Sequence, residues 1–156
     1  MQVQELATLI GGGRERCYSL PGQKMKSPPK IGTTGELQFV VDQKHCIDFA
    51  TDGMPAVLST PNLIGLLECT ARQAIAPFLE ADERSVGTEI ELRHLAPSPL
   101  GARVTIAVRV IRAEGRQVTF QVEARDEHDL IARGVHTRAV VRTGSFARRV
   151  QTKSKA

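Results

Sequence analysis

The sequence predicts an α+β domain in which one strand leads into a single long helix and four further antiparallel strands follow. Three observations carry this reading. Only one stretch, residues 60–78, repeats its apolar residues at the helical period. Five stretches alternate apolar and polar residues at period two. The last four of these are separated by short Pro-, Gly- and Asp-containing segments, the punctuation of consecutive antiparallel strands.

Residues 1–30 combine Gly11-Gly12-Gly13, Pro21-Gly22 and Pro28-Pro29 with Arg and Lys and show no period, so a loosely ordered arm is expected there. From Gly35 onward Leu37, Phe39 and Val41 alternate with Glu36, Gln38 and Val40, which marks the first strand. Residues 49–59 form an irregular approach to the helix. Thr60 followed by Pro61 is the pattern of a cap and first turn, and Pro77 places the helix end near Phe78. The remaining strands are expected at 86–96, 103–111, 117–125 and 130–141. The division that results is an arm at 1–30, one folded domain at 31–146 and a basic tail at 147–156.

Composition narrows the function classes. The 156 residues suit one domain, and 41% hydrophobic with 24% charged residues is the balance of a globular chain. No apolar run approaches the roughly 20 residues of a membrane span, and the run at residues 6–10 is broken by glycines. Neither a signal peptide nor a membrane partner is expected. Cys17, Cys46 and Cys69 have no CxxC spacing and are odd in number, which argues against a disulfide framework and a zinc site and for a reducing cytoplasm. The net charge of +4 resides entirely in Arg148, Arg149, Lys153 and Lys155, in a stretch without acids. This reads as a solvated, frayed terminus rather than a nucleic-acid surface.

Two polar residues stand on apolar faces. On a helical projection Glu68 falls among Ile64, Leu67, Ala71, Ile75, Phe78 and Leu79, while Asn62, Thr70 and Gln73 lie opposite. A carboxylate there is desolvated and raised in pKa, as suits a general acid or base, unless it is paired, Arg72 at i+4 being the ordinary partner. In the next strand Val86, Ile90, Leu92 and His94 share one face and Glu89, Glu91 and Arg93 the other. An inward Glu and an inward His therefore belong to one helix–sheet seam.

Val57-Leu58-Ser59-Thr60-Pro61, Glu68 in the helix, Ser85-Val86-Gly87-Thr88, Arg93-His94-Leu95-Ala96-Pro97-Ser98-Pro99 with Gly101, and Leu130-Ile131-Ala132-Arg133-Gly134-Val135-His136 together resemble the hotdog-fold thioesterases related to fluoroacetyl-CoA thioesterase. The steps of 8 residues from Thr60 to Glu68 and 26 from Glu68 to His94 match that family's catalytic Thr, Glu and His. The resemblance implies a hotdog fold, a long central helix wrapped by a curved five-stranded antiparallel sheet. It implies a homodimer or a dimer of dimers, with sheets paired edge to edge and active sites at the interface. It also implies an acyl-CoA substrate, with CoA as part of the substrate and no separate cofactor or metal. By position Thr60 would hydrogen-bond the thioester or the carboxylate, Glu68 would act as nucleophile or general base, and His94 would assist the leaving thiolate. Gly87 would offer its N–H to the acyl group, and first-turn N–H groups of the helix would meet the oxyanion. Arg133 and Arg138 are candidates for CoA phosphates. His136 reads as structural or as a residue of the CoA mouth, and Cys69 as a packing thiol. The alternative is an acyl-CoA binding or sensing domain without hydrolysis, since fold does not settle function. A hotdog hydratase would need an Asp–His motif that the sequence lacks.

Overall fold

The computed structural model describes residues 24–154, so most of the arm expected at 1–30 lies outside the described residues. The elements are β1 (Thr34–Val40), α1 (Thr60–Ile75), β2 (Glu83–His94), β3 (Arg103–Glu114), β4 (Gln117–Arg125), β5 (Leu130–Arg142) and α2 (Thr143–Ser154). A 3₁₀ turn at Ala76–Phe78, carrying Pro77, ends α1 as expected, because proline cannot continue an α-helix. The start differs by one residue. Ser59, in extended conformation, is the cap, and its Oγ accepts from the Asn62 N–H at 3.4 Å and from Asn62 Nδ2 at 2.8 Å. Thr60 is thereby freed from capping.

The five strands form one antiparallel sheet in the order β1-β3-β4-β5-β2, not closed into a barrel. Where consecutive strands are expected to be neighbours, β2 instead pairs with β5. The link from β2 to β3 carries Pro97, Pro99 and Gly101, and it is held against the approach to α1 by a Val57–Pro99 bridge and a Leu58 N–H to Ser98 C=O bond. It crosses the fold instead of turning as a hairpin.

The core lies between α1 and the sheet. Leu63, Leu67, Ala71 and Ile75 pack against Val104, Ile106 and Val108 of β3 and Val118, Phe120 and Val122 of β4, all buried. Thr70, expected on the exposed side, is also buried and returns its Oγ1 proton to the Leu66 carbonyl at 2.8 Å. The buried stripe is thus rotated from the expected one, and Glu68 sits at its border.

At the chain ends, Met25 is buried and donates its N–H to the Gly115 carbonyl at 3.0 Å. Beyond β5, Thr143–Ser154 is helical with no buried residue, so the helix runs from the end of the domain expected at 31–146 into the stretch expected as a basic tail at 147–156. No helix among the described residues is long and apolar enough to cross a membrane.

Candidate functional site

Thr60 occupies the first position of α1, and His94 ends β2. Their side chains meet, with Thr60 Oγ1 2.8 Å from His94 Nδ1. They line an open cleft of about 340 Å³ with Ile47, Leu58 and Ala96. The other ring nitrogen, Nε2, is buried and has no partner among the described residues. Burial pushes His94 below its ordinary pKa, the backbone of Ala96 opposing, so the ring is neutral at neutral pH. The first turn is nearly closed to ligands: Ser59 takes the Asn62 N–H, Leu63 N–H bonds Ser59 C=O, and Pro61 has none. Of the first-turn donors expected for an oxyanion, the Thr60 N–H is the one left without a hydrogen-bond partner among the described residues.

Glu68 is held elsewhere. Its side chain is 42% exposed, and Oε1 stands 3.5 Å from Arg138 Nη1 and 3.7 Å from His136 Nε2. The expected i+4 pair with Arg72 does not form; Arg72 Nη2 lies 3.9 Å from Cys69 Sγ. Arg138 is buried and fixed by four contacts, Nε to Ser85 Oγ at 3.0 Å, Nη2 to Ser85 C=O at 2.9 Å, and Nη1 to the Glu68 carbonyl at 3.3 Å and to His136 Nε2 at 3.2 Å. His136 Nδ1 faces the Glu89 carbonyl at 2.8 Å, an acceptor only, so that nitrogen carries the proton and Nε2 accepts from Arg138. Burial lowers the His136 pKa, with the Arg138 charge adding to it and the Glu89 bond and Glu68 opposing. Neutral His136 thus orients Arg138, and Arg138 is the charge partner of Glu68.

A β-bulge makes room for this cluster. The β2–β5 register shifts between Gly87 and Glu89, so Ser85 and Gly87 before it and Ile90, Leu92 and His94 after it all face α1. Val86, expected on the inward face, points outward opposite Ala139. At Gly87 an added Cβ would overlap Glu68 Oε1 and lie 3.2 Å from His136 Cε1.

The expected trio therefore splits within one chain. Thr60 and Glu68 are separated by about 12 Å of helix. Ala132, cross-strand partner of His94, is about 13 Å along β5 from His136. Thr60 and His94 meet; Glu68 and Gly87 meet. Arg133 lies exposed on the opposite face, beside Arg93 and Glu123. Arg138 is buried, its donors spent on Ser85, Glu68 and His136, which removes it from the candidates for CoA phosphates. The weight of His136 and Arg138 is missed by the sequence reading, although both are polar residues at inward positions of a strand that buries Val140 on the same face. Among the described residues no group of three or more His, Cys, Asp or Glu is arranged to hold a metal.

Residues 41–144 match the family described as fluoroacetyl-CoA-specific thioesterase. The fluoroacetyl-CoA thioesterase of Streptantibioticus cattleyicolor is 38% identical over 140 residues, which cover 85% of this chain and 99% of that protein. A solved structure of a fluoroacetyl-CoA thioesterase superposes with a TM-score of 0.74 at 32% identity, covering 80% of this chain and 97% of the other. A hot-dog-like protein from Thermanaerovibrio acidaminovorans gives a TM-score of 0.73 at 28% identity, over 79% of this chain and 91% of its own. With its helix laid on a five-stranded antiparallel sheet and its match running from the end of β1 into α2, this chain belongs to the fluoroacetyl-CoA-specific thioesterase family and has its hotdog fold.

Proposed function

We propose that this protein hydrolyses an acyl-CoA thioester to a carboxylate and free CoA, using Thr60, Glu68 and His94, and that each active site draws on two protomers. The observation that carries the proposal is the Thr60–His94 contact of 2.8 Å beside an open cleft, with His94 Nε2 buried and without a partner among the described residues. A buried polar nitrogen without a partner costs stability, so it is the natural place for a substrate atom.

Glu68 is too far along α1 to serve that cleft within its own chain. Among the described residues, however, β2 is an edge strand, and that side is where we place a second copy. In an antiparallel β2–β2 pairing about a two-fold axis at Glu91, Ile90 of one protomer faces Leu92 of the other, and the bulge at Thr88 then brings Gly87 beside the partner's His94. That brings the Glu68–Gly87 half-site of each protomer to the Thr60–His94 half-site of its partner. A homodimer is thus part of the proposal, and the setting we assign is the cytoplasm, where Cys46 and Cys69 persist as the free thiols seen here.

Chemically, thioester hydrolysis needs an attacking oxygen, a donor for the oxyanion and help for the leaving thiolate. Glu68, aimed by Arg138, takes a proton from the attacking water, or attacks the carbonyl carbon to give a mixed anhydride that water then cleaves. The Thr60 N–H and Oγ1 and the Gly87 N–H are the donors facing the acyl oxygen. Collapse of the tetrahedral adduct breaks the C–S bond; the sulfur is met by His94 Nε2 and leaves as the CoA thiol with a proton that came from water.

The test is thiol release from acetyl-, fluoroacetyl-, phenylacetyl- and medium-chain acyl-CoA. Wild type is expected to release CoA in proportion to acyl-CoA consumed, and Glu68→Gln and His94→Ala to lose at least about a hundredfold in kcat/KM while keeping the wild-type melting temperature. Full activity in Glu68→Gln would remove that residue from the site. Stabilisation by acyl-CoA without any thiol release would leave a binding domain instead.

A further inference from the structure

Thr60 opens α1 and His94 closes β2, so the two residues of the cleft pair each stand where the chain leaves a regular element. Their separation is set by the segments that continue them, the approach to α1 and the link from β2 to β3. We propose that Asp126, in the turn between β4 and β5, is a positioning residue for the Thr60–His94 pair and acts through Ser98 of that link. The proposal rests on the acyl-CoA reading above and adds to it a residue that sets the geometry of the cleft without lining it.

The link and the approach run side by side. Leu58 N–H donates to Ser98 C=O at 2.8 Å and Leu100 N–H to Ala56 C=O at 3.1 Å, with Val57 bridging Pro99 between them. Leu58 lies two residues before Thr60 and Ser98 four after His94, so this short ladder ties the two residues together. The link also reaches the imidazole itself, through the backbone of Ala96. Pro99 disfavours a helical backbone at Ser98, which keeps the ladder extended.

Ser98 anchors this ladder to the sheet. It is completely buried, and its hydroxyl donates to Asp126 Oδ2 at 2.8 Å. Burying a hydroxyl without a partner is costly, so the bond to Asp126 is what accounts for a serine here. Asp126 is itself fixed. Its Oδ1 accepts from the His128 N–H at 2.9 Å and the Asp129 N–H at 2.8 Å, and its own N–H donates to Asp129 C=O at 3.0 Å. Burial raises its carboxyl, but these bonds and that of Ser98 outweigh burial and hold it below the usual carboxylate range. An ionised carboxylate only accepts, so the Ser98 hydroxyl proton must point to it, and a bond to a charged acceptor is a strong one. Bonds thus run without a gap from the β4–β5 turn through Ser98 to Leu58, beside the cap of α1.

Ser98→Ala removes one oxygen and leaves the turn bonds of Asp126 in place, whereas Asp126→Ala removes all of them. Both are expected to lower kcat about tenfold with KM within about twofold of wild type. Asp126→Asn, whose amide still accepts from the turn N–H groups and donates to Ser98 Oγ, should recover most of the rate. Loss of stability alone does not reproduce this pattern: Ile75→Val, in the core about 22 Å from Thr60 along α1, should lower the urea midpoint and leave kcat as it was. A readout without turnover is the NMR titration of the His94 imidazole, held below its ordinary value by burial. It should move up in Ser98→Ala and Asp126→Ala and stay in place in Asp126→Asn and Ile75→Val. Should Asp126→Ala fail to fold, Ser98→Ala carries the test. A wild type that releases no CoA would defeat the hydrolase reading, and the titration would then decide the positioning role by itself. An unchanged His94 titration in Ser98→Ala would overturn that role, as would a wild-type kcat in that variant.

Discussion

At position 87 there is no room for a side chain, because Glu68 Oε1 occupies the place of a Cβ. Gly87→Ala must therefore push the carboxylate away from Arg138. It is expected to lower kcat/KM by at least about tenfold, with a melting temperature near that of wild type because the site is at the surface of an edge strand; an unchanged rate would show that the Glu68–Gly87 contact is incidental. The two buried imidazoles have a separate consequence. His94 and His136 are both held below 6.5, burial being the main cause. Below that pH the unfolded chain binds more protons than the folded one, so their contribution to stability is complete above pH 6.5 and is lost as pH falls through the depressed values. Urea midpoints should fall between pH 7 and 5, and His136→Gln should flatten that fall; an identical slope would mean that His136 does not titrate with unfolding. Glu68 and His94 are legible in the sequence because each is a polar residue interrupting an apolar face. Their partners are not, because Arg138 reaches Glu68 only through the pairing of β5 with β2, which no local pattern encodes.

Among the elements, β2 does most to shape the site. Its bulge puts Gly87 and His94 on one face although they are seven residues apart, a spacing that strict alternation assigns to opposite faces. Alternation locates the strand but carries Val86 to the wrong side, since a bulge leaves no signature in the polarity of the residues around it. The start of α1 shows the same limit: Ser59 and Thr60 are both capping residues, and only the backbone shows that Ser59 takes the role and leaves Thr60 for His94. The beginning of β2 is fastened by the buried Glu83–Arg116 pair, in which Arg116 Nη2 meets Glu83 Oε1 at 2.7 Å and Nε donates to the Val140 carbonyl at 2.7 Å. Removing one charge strands the other in the core. Arg116→Met should cost about 3–5 kcal/mol in urea unfolding, and Glu83→Leu combined with Arg116→Met should recover most of it; a cost below about 1 kcal/mol would mean that water reaches the pair.

For the molecule as a whole, the sheet order places β2 at an edge, with both half-sites beside it. Helix, strands and the candidacy of Thr60, Glu68 and His94 follow from the sequence and its family resemblance. Their division into two clusters does not, because spacing along a chain says nothing about which copy of the chain completes a site. Co-expression of His94→Ala with Glu68→Gln measures this directly. Each variant alone is expected to be inactive, but a mixed dimer in which sites are shared carries both lesions in one site and none in the other. Random pairing should then restore about a quarter of wild-type thiol release, and mixed dimers purified through two different tags about half. Purified mixed dimers that remain as inactive as either parent would contradict a site built from two protomers.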